Sequence, residues 1–134
     1  MSSRVARFSV VLAEDHADMA EELRSLLQVD FDVLGVVGEG AARVDAVRRL
    51  VPDCVVADVS MPIKDGLAAA VELLREQPGL PMVFVSVHRD TALVAKSLAL
   101  GVCGYVLKRD AAEELVAAVR AVLGGTRYTS RALS

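Results

Sequence analysis

Cys54-Val55-Val56-Ala57-Asp58-Val59-Ser60-Met61-Pro62-Ile63-Lys64-Asp65-Gly66 is an apolar run that ends at one carboxylate, followed by a Pro and an Asp-Gly pair. The run reads as a strand buried on both faces, and the Pro and Asp-Gly read as the turn beyond it. Asp58 then stands at the exit of a buried strand, facing a loop crevice rather than the core. Working outward, Phe8-Ser9-Val10-Val11-Leu12-Ala13 stops at Glu14-Asp15, and two later apolar runs end in Ser86 and Lys108. Carboxylates, a hydroxyl and an ammonium therefore fall at corresponding ends of separate strands. In an open parallel sheet those ends share one edge, and ligands bind outside it.

Strand patterns at 8–13, 32–37, 54–57, 82–86 and 104–107 alternate with amphipathic stretches at 17–29, 41–50, 67–76, 91–100 and 111–123. In the first of these stretches Met19, Leu23, Leu26 and Leu27 share a face, with Glu21, Glu22 and Arg24 off it. Pro52-Asp53, Pro78-Gly79-Leu80-Pro81 and Gly101 punctuate the gaps, and Asp90 and Asp110 stand at expected N-caps. Strict alternation predicts an α/β fold with right-handed crossovers and helices on both faces. We expect the flavodoxin-like, doubly wound arrangement: a five-stranded parallel sheet of order 2-1-3-4-5. Residues 1–123 read as one domain. Residues 124–134, opening with Gly124-Gly125-Thr126-Arg127-Tyr128, read as the start of an interdomain linker or a C-terminal tail.

Composition narrows the function classes. Hydrophobic residues make up 54% of the 134 and aromatics only 4%, so Val, Leu and Ala must build the core. No apolar run approaches the roughly 18 residues that span a bilayer. The N-terminus lacks the apolar core of a signal peptide, and a cytoplasmic protein without membrane contact is expected. A net charge of −3 with no basic block argues against direct nucleic-acid binding by this segment. Cys54 and Cys103 have no Cys or His at zinc-ligand spacing. In the expected sheet a strand separates them, about 9–10 Å, which is beyond disulfide reach. His16 and His88 read as exposed loop residues. The glycines at 35, 38 and 40 are turn chemistry, since the third position of a dinucleotide fingerprint holds Arg43.

With strand order 2-1-3-4-5, the crevice opens between the first and third strands and brings Asp15 and Asp58 together, with Glu14 beside them. Clustered carboxylates raise one another's pKa unless a cation sits among them. An oxygen-only site of this kind suits Mg²⁺, which binds through few protein ligands and keeps several waters. A metal leaves Asp58 ionised, and a carboxylate is a competent nucleophile toward phosphorus. Phosphoryl transfer then needs alignment and charge neutralisation more than covalent chemistry. Lys108 suits the phosphoryl oxygens as a compact charge, and the Ser86 hydroxyl can donate to another.

Glu14-Asp15-His16, Asp58 through Met61-Pro62 to Asp65-Gly66, Val85-Ser86 and Gly104-Tyr105-Val106-Leu107-Lys108 together resemble the response regulator receiver domain, over nearly the whole chain. The resemblance implies Asp58 as phosphoacceptor and Asp15, Asp58 and the Ser60 carbonyl as Mg²⁺ ligands, with Glu14 reaching the metal through water. It implies Ser86 as the switch hydroxyl, Tyr105 as the switch aromatic and Lys108 as the phosphoryl-binding lysine. Asp-His after the first strand, Gly38-Glu39-Gly40 after the second and the Gly-Tyr-x-Leu-Lys run resemble the NarL/FixJ-type subgroup, whose members usually carry a helix-turn-helix output domain. A sensor histidine kinase or phosphotransfer protein is the implied phosphodonor. One departure stands out: many receivers have Pro after the lysine, and here it is Arg109.

The function expected is therefore a phosphorylation-activated switch of a two-component system that regulates transcription, with self-phosphorylation and slow autodephosphorylation as its only chemistry. A phosphorylation-independent interaction module would show loss of Asp15, Asp58 or Lys108, and all three are present. An aspartyl-phosphate hydrolase of the haloacid dehalogenase type would resemble Asp-x-Asp at the nucleophile, and position 60 is Ser. Between residues 91 and 100 the only charge is Lys96, while Ala92, Ala95 and Ala99 align on one side. That face suits a partner or a homodimer, unless the helix is pressed into an Ala-rich core.

Overall fold

The computed structural model describes residues 7–38, 40–59 and 63–133. Among them, six strands make one sheet: β1 (Ser9–Ala13), β2 (Asp32–Val37), β3 (Cys54–Asp58), β4 (Met82–Ser86), β5 (Gly104–Leu107) and β6 (Tyr128–Thr129). Every pairing is parallel, in the order β2-β1-β3-β4-β5-β6. The connecting helices are α1 (Ala17–Gln28), α2 (Gly40–Leu50), α3 (Ile63–Glu76), α4 (Thr91–Ala99) and α5 (Ala111–Leu123).

Period-two alternation of each central strand feeds two cores. Val10 and Leu12 of β1 pack with Leu23 and Leu27 of α1 and with Leu115 and Val119 of α5. Val11 and Ala13 pack on the other side with Val44 and Val47 of α2 and Leu73 of α3. β3, β4 and β5 repeat the division, so these strands are apolar on both faces, as parallel strands covered by helices must be. Phe84 and Tyr105 are the largest side chains wholly inside, and aliphatic residues fill most of the rest. Cys54 and Cys103 are free thiols.

The expected strands match to within one residue, and three local expectations need correction. Asp65-Gly66 does not turn the chain; it lies in the first turns of α3. A Cβ on Gly66 would meet Val59 Cγ1 at 2.7 Å, so glycine is what lets α3 close over the exit of β3. Asp90 caps α4, accepting from the Ala92 amide at 2.8 Å, but Asp110 does not cap α5. Lys108–Asp110 forms a 3-10 turn that runs straight into α5, leaving Asp110 with φ −99° and ψ 0° instead of the extended backbone a cap needs.

The third correction is to the sheet, which gains a sixth strand from the stretch read as a linker. Tyr128 and Ser130 donate their amides to Cys103 and Tyr105. The fully buried Ser130 then accepts from the Leu107 amide through Oγ at 2.9 Å. Buried Glu114 of α5 anchors the same strap, accepting from the Tyr128 hydroxyl at 2.6 Å and the Arg131 amide at 3.2 Å. Ala132 and Leu133 pack against the core cluster that holds Tyr105 and Leu107. A two-residue strand is too short to carry a periodic signal. Ser130→Ala leaves the buried Leu107 amide without its acceptor, so a loss of about 1–3 kcal/mol is expected in urea unfolding.

Candidate functional site

The C-terminal ends of β1, β3, β4 and β5 share one edge, because the register runs in step across the sheet. Ala13 lies opposite Ala57, Asp58 opposite Val85 and Ser86 opposite Leu107. Glu14 and Asp15 follow β1 directly, and Lys108 follows β5. The edge thus collects every charged or hydroxyl residue that ends an apolar run.

Glu14, Asp15 and Asp58 each bring a carboxylate oxygen to within 4.8 Å of the other two. Glu14 and Asp58 are buried, while Asp15 is exposed. Lys108 joins the cluster, its Nζ 3.2 Å from Asp58 Oδ2 and 3.5 Å from Glu14 Oε1. Burial, followed by a hydrogen bond with Asp58, pushes the Glu14 carboxyl up to about 7 from 4.5, against the pull of the His16 amide. Among the described residues Glu14 Oε1 is buried without a hydrogen-bond partner, although Lys108 is within ion-pair range. Three oxygen donors, an unsatisfied buried carboxylate oxygen and one exposed side fit a hard, partly hydrated divalent cation. Ser60, the expected carbonyl ligand, lies outside the described residues, as does the Met61-Pro62 turn.

Ser86 and Tyr105 are both fully buried and meet at one residue. The His88 amide donates to Ser86 Oγ at 3.0 Å, and the His88 carbonyl accepts from the Tyr105 hydroxyl at 2.9 Å. Burial pushes the Tyr105 phenol above its usual range. The loop between β4 and α4 is therefore gripped at both polar atoms of the His88 backbone. Arg89, the next residue, points a guanidinium nitrogen at the Ala132 carbonyl of the C-terminal strap, 3.4 Å away.

Two participants went unread in the sequence. His88 contributes through its backbone, which no residue-type pattern reports. Arg43 of α2 donates to the Gly38 carbonyl at 2.6 Å and to the Asp58 carbonyl at 2.7 Å. Its only sequence signal is a cation in the first turn of a helix, where the macrodipole disfavours it.

A doubly wound parallel sheet with carboxylates, a hydroxyl and a lysine along its C-terminal edge is the frame of a signalling receiver. The chain belongs to the response regulator receiver domain family, whose model matches residues 10–120, and it is of the NarL/FixJ type. It is 35% identical over 123 residues to the response regulator UvrY of Escherichia coli (strain K12), covering 90% of this chain and 56% of that protein. Identity to the response regulator GacA of Pseudomonas aeruginosa is 36% over 124 residues, covering 90% and 58%. The chain thus spans about half the length of the curated relatives it matches. A LuxR-family two-component response regulator from Aurantimonas sp. SI85-9A1 superposes with a TM-score of 0.89 at 25% identity, over 96% of this chain and 93% of that one. Family and fold together make this domain a two-component signalling switch. No helix among the described residues is long and apolar enough to cross a membrane.

The Glu14 shift has a stability consequence in metal-free protein. A carboxyl whose pKa is higher folded than unfolded stabilises the fold while protonated, and that contribution is lost as pH rises. Wild type is therefore expected to lose stability between pH 4.5 and about 7 relative to Glu14→Gln, which stays neutral. Urea midpoints of both proteins in EDTA, taken across that range, check this. Parallel curves would show that Glu14 does not titrate there.

Proposed function

We propose that this domain accepts a phosphoryl group on Asp58 with Mg²⁺ and thereby changes its output surface. The observation that carries the reading is the Lys108–Asp58 contact of 3.2 Å inside the cluster formed with Glu14 and Asp15. Asp58 supplies the nucleophilic oxygen: a P–O bond forms as the bond to the donor breaks. Glu14, Asp15, Asp58 and the Ser60 carbonyl would hold Mg²⁺, which supplies charge neutralisation at the phosphoryl oxygens. Lys108 already rests on Asp58 and is placed to follow the negative charge from carboxylate to phosphoryl group. A sensor histidine kinase or phosphotransfer protein in the cytoplasm is the donor in this reading.

Acyl phosphate formation on Asp58 would add acceptor oxygens at the same sheet edge as Ser86. A Ser86 hydroxyl turned toward them would no longer sit as now against the His88 amide, and the Tyr105 hydroxyl shares the same His88 backbone. Phosphorylation thus biases the β4–α4 loop and the buried position of Tyr105. Ala92, Ala95 and Ala99 are exposed on α4, so that face is not pressed into the core; it suits a partner or a homodimer. In this reading residues 1–123 carry the receiver's site, and 124–134, which add β6 to its sheet, form a C-terminal tail or lead toward an output domain that regulates transcription.

Intact-mass measurement with Mg²⁺ and acetyl phosphate tests the site. One phosphoryl group, labile to hydroxylamine, is expected on wild type and none on Asp58→Asn, because an amide is no nucleophile there. Asp15→Asn should slow the gain by about 10–100-fold, as for losses at metal sites. A full mass shift in Asp58→Asn, or a rate indifferent to EDTA, would overturn the assignment.

A further inference from the structure

Asp58 is the last residue of β3, and only the β4 register extends to it. Its neighbour in β4 is Val85, but the β1 pairing stops at Ala13 opposite Ala57. On that open side the Asp58 carbonyl accepts from Arg43 Nη1 at 2.7 Å. Adjacent Nε of the same guanidinium donates to the Gly38 carbonyl at 2.6 Å. Gly38 belongs to the loop that backs the acidic cluster: a Cβ built on it would lie 3.8 Å from Asp15 Cβ. One residue earlier, the Val37 carbonyl accepts from the Glu14 amide at 2.8 Å. A single planar fork therefore ties the phosphoacceptor backbone to the loop lying against its two acidic partners.

Arg43 is poorly placed for any other purpose. It stands in the first turn of α2, which carries no acidic residue, and a cation there opposes the helix dipole. No carboxylate among the described residues pairs with it in an ion pair; its guanidinium donates instead to the two carbonyls. Its neighbours Val44, Ala46 and Val47 are core residues, so the helix is anchored without it.

We propose that Arg43 is a positioning residue for phosphorylation: its guanidinium stands in for the missing strand beside Asp58 and fixes the carboxylate against Asp15 and Lys108. This rests on the reading of Asp58 as phosphoacceptor. Arg suits this place better than Lys because its planar fork presents two donors at fixed spacing; an ammonium has three donors but sits on a flexible stem without that preset geometry.

The test is a time course of phosphorylation by acetyl phosphate at saturating Mg²⁺, read by intact mass, with urea midpoints and the half-saturating Mg²⁺ concentration measured alongside. Arg43→Gln should lower the maximal rate about tenfold, in the range typical of groups that orient a site's ligands. Its far-UV circular dichroism should match wild type. Arg43→Lys should fall between the two, recovering part of the rate. A wild-type maximal rate in Arg43→Gln overturns the proposal, and so does a wild-type rate in Arg43→Lys, which would mean that charge alone matters. Loss confined to the urea midpoint, with the rate intact, marks a purely structural role and also overturns it. Should the Gln variant fail to fold, the Lys variant decides by the same criterion. Failure of the phosphoacceptor reading is separable: there, Asp58→Asn gains the phosphoryl group as wild type does, whatever Arg43 does.

Discussion

Everything at the functional edge depends on holding three carboxylates together where folding would rather keep them apart. Two are buried, and each ionised carboxylate raises the cost of ionising the next. The chain meets this cost with one ammonium at 3.2 Å from Asp58 and with a Glu14 carboxyl that holds its proton up to about pH 7. Neither device satisfies the cluster fully, since Glu14 Oε1 has no hydrogen-bond partner among the described residues. A cluster of three carboxylates facing one ammonium is one that a divalent cation can complete. The tension in the unliganded cluster and its affinity for ligand are one quantity seen from two sides.

The same economy explains how a change at Asp58 can be felt elsewhere. Ser86 and Tyr105, on different strands, both engage the backbone of His88. Tyr105 also lies beneath the strap, which takes its carbonyl through the Ser130 amide, while Leu107 gives its amide to Ser130 Oγ. Arg89 closes the loop by approaching Ala132. The β4–α4 loop, β5 and the C-terminal strap are thus joined by directional bonds rather than by contact alone. Packed interiors rearrange between discrete states, so such a ring is suited to switching as a unit.

How much of this was legible beforehand follows from which interactions leave a residue-type pattern. Strands buried on both faces write themselves as apolar runs, and their ends are sharp because the next residue is charged: Glu14 after Ala13, Lys108 after Leu107. Those two boundaries and Asp58 delivered the candidate site together with the fold. Interactions that use backbone atoms leave no such trace. Arg43 finds carbonyls five and fifteen residues away, and nothing in the side chains at Gly38 or Asp58 announces the contact. Ser130 is one polar residue in a polar stretch until its amide and hydroxyl are seen bridging β5. Asp110 misled because its identity fits a cap, whereas the 3-10 turn before it sets the backbone that decides.

Gly66 and Arg43 show how the exit of a parallel strand is completed when the sheet itself stops. β3 outlasts β1 by one residue, and that residue is Asp58. On one side the absence of a side chain at position 66 allows α3 to lie against Val59, closing the apolar wall directly after the carboxylate. On the other, a long side chain reaches across from α2 to supply a donor to the Asp58 carbonyl, as a continued β1 would. A longer β1 would satisfy the same carbonyl but would carry Glu14 and Asp15 along as sheet residues, alternating between the two faces. Ending β1 early keeps both acids in the loop, free to converge on Asp58. The gap beside Asp58 is therefore a condition of the carboxylate cluster, and Arg43 is the group that occupies it.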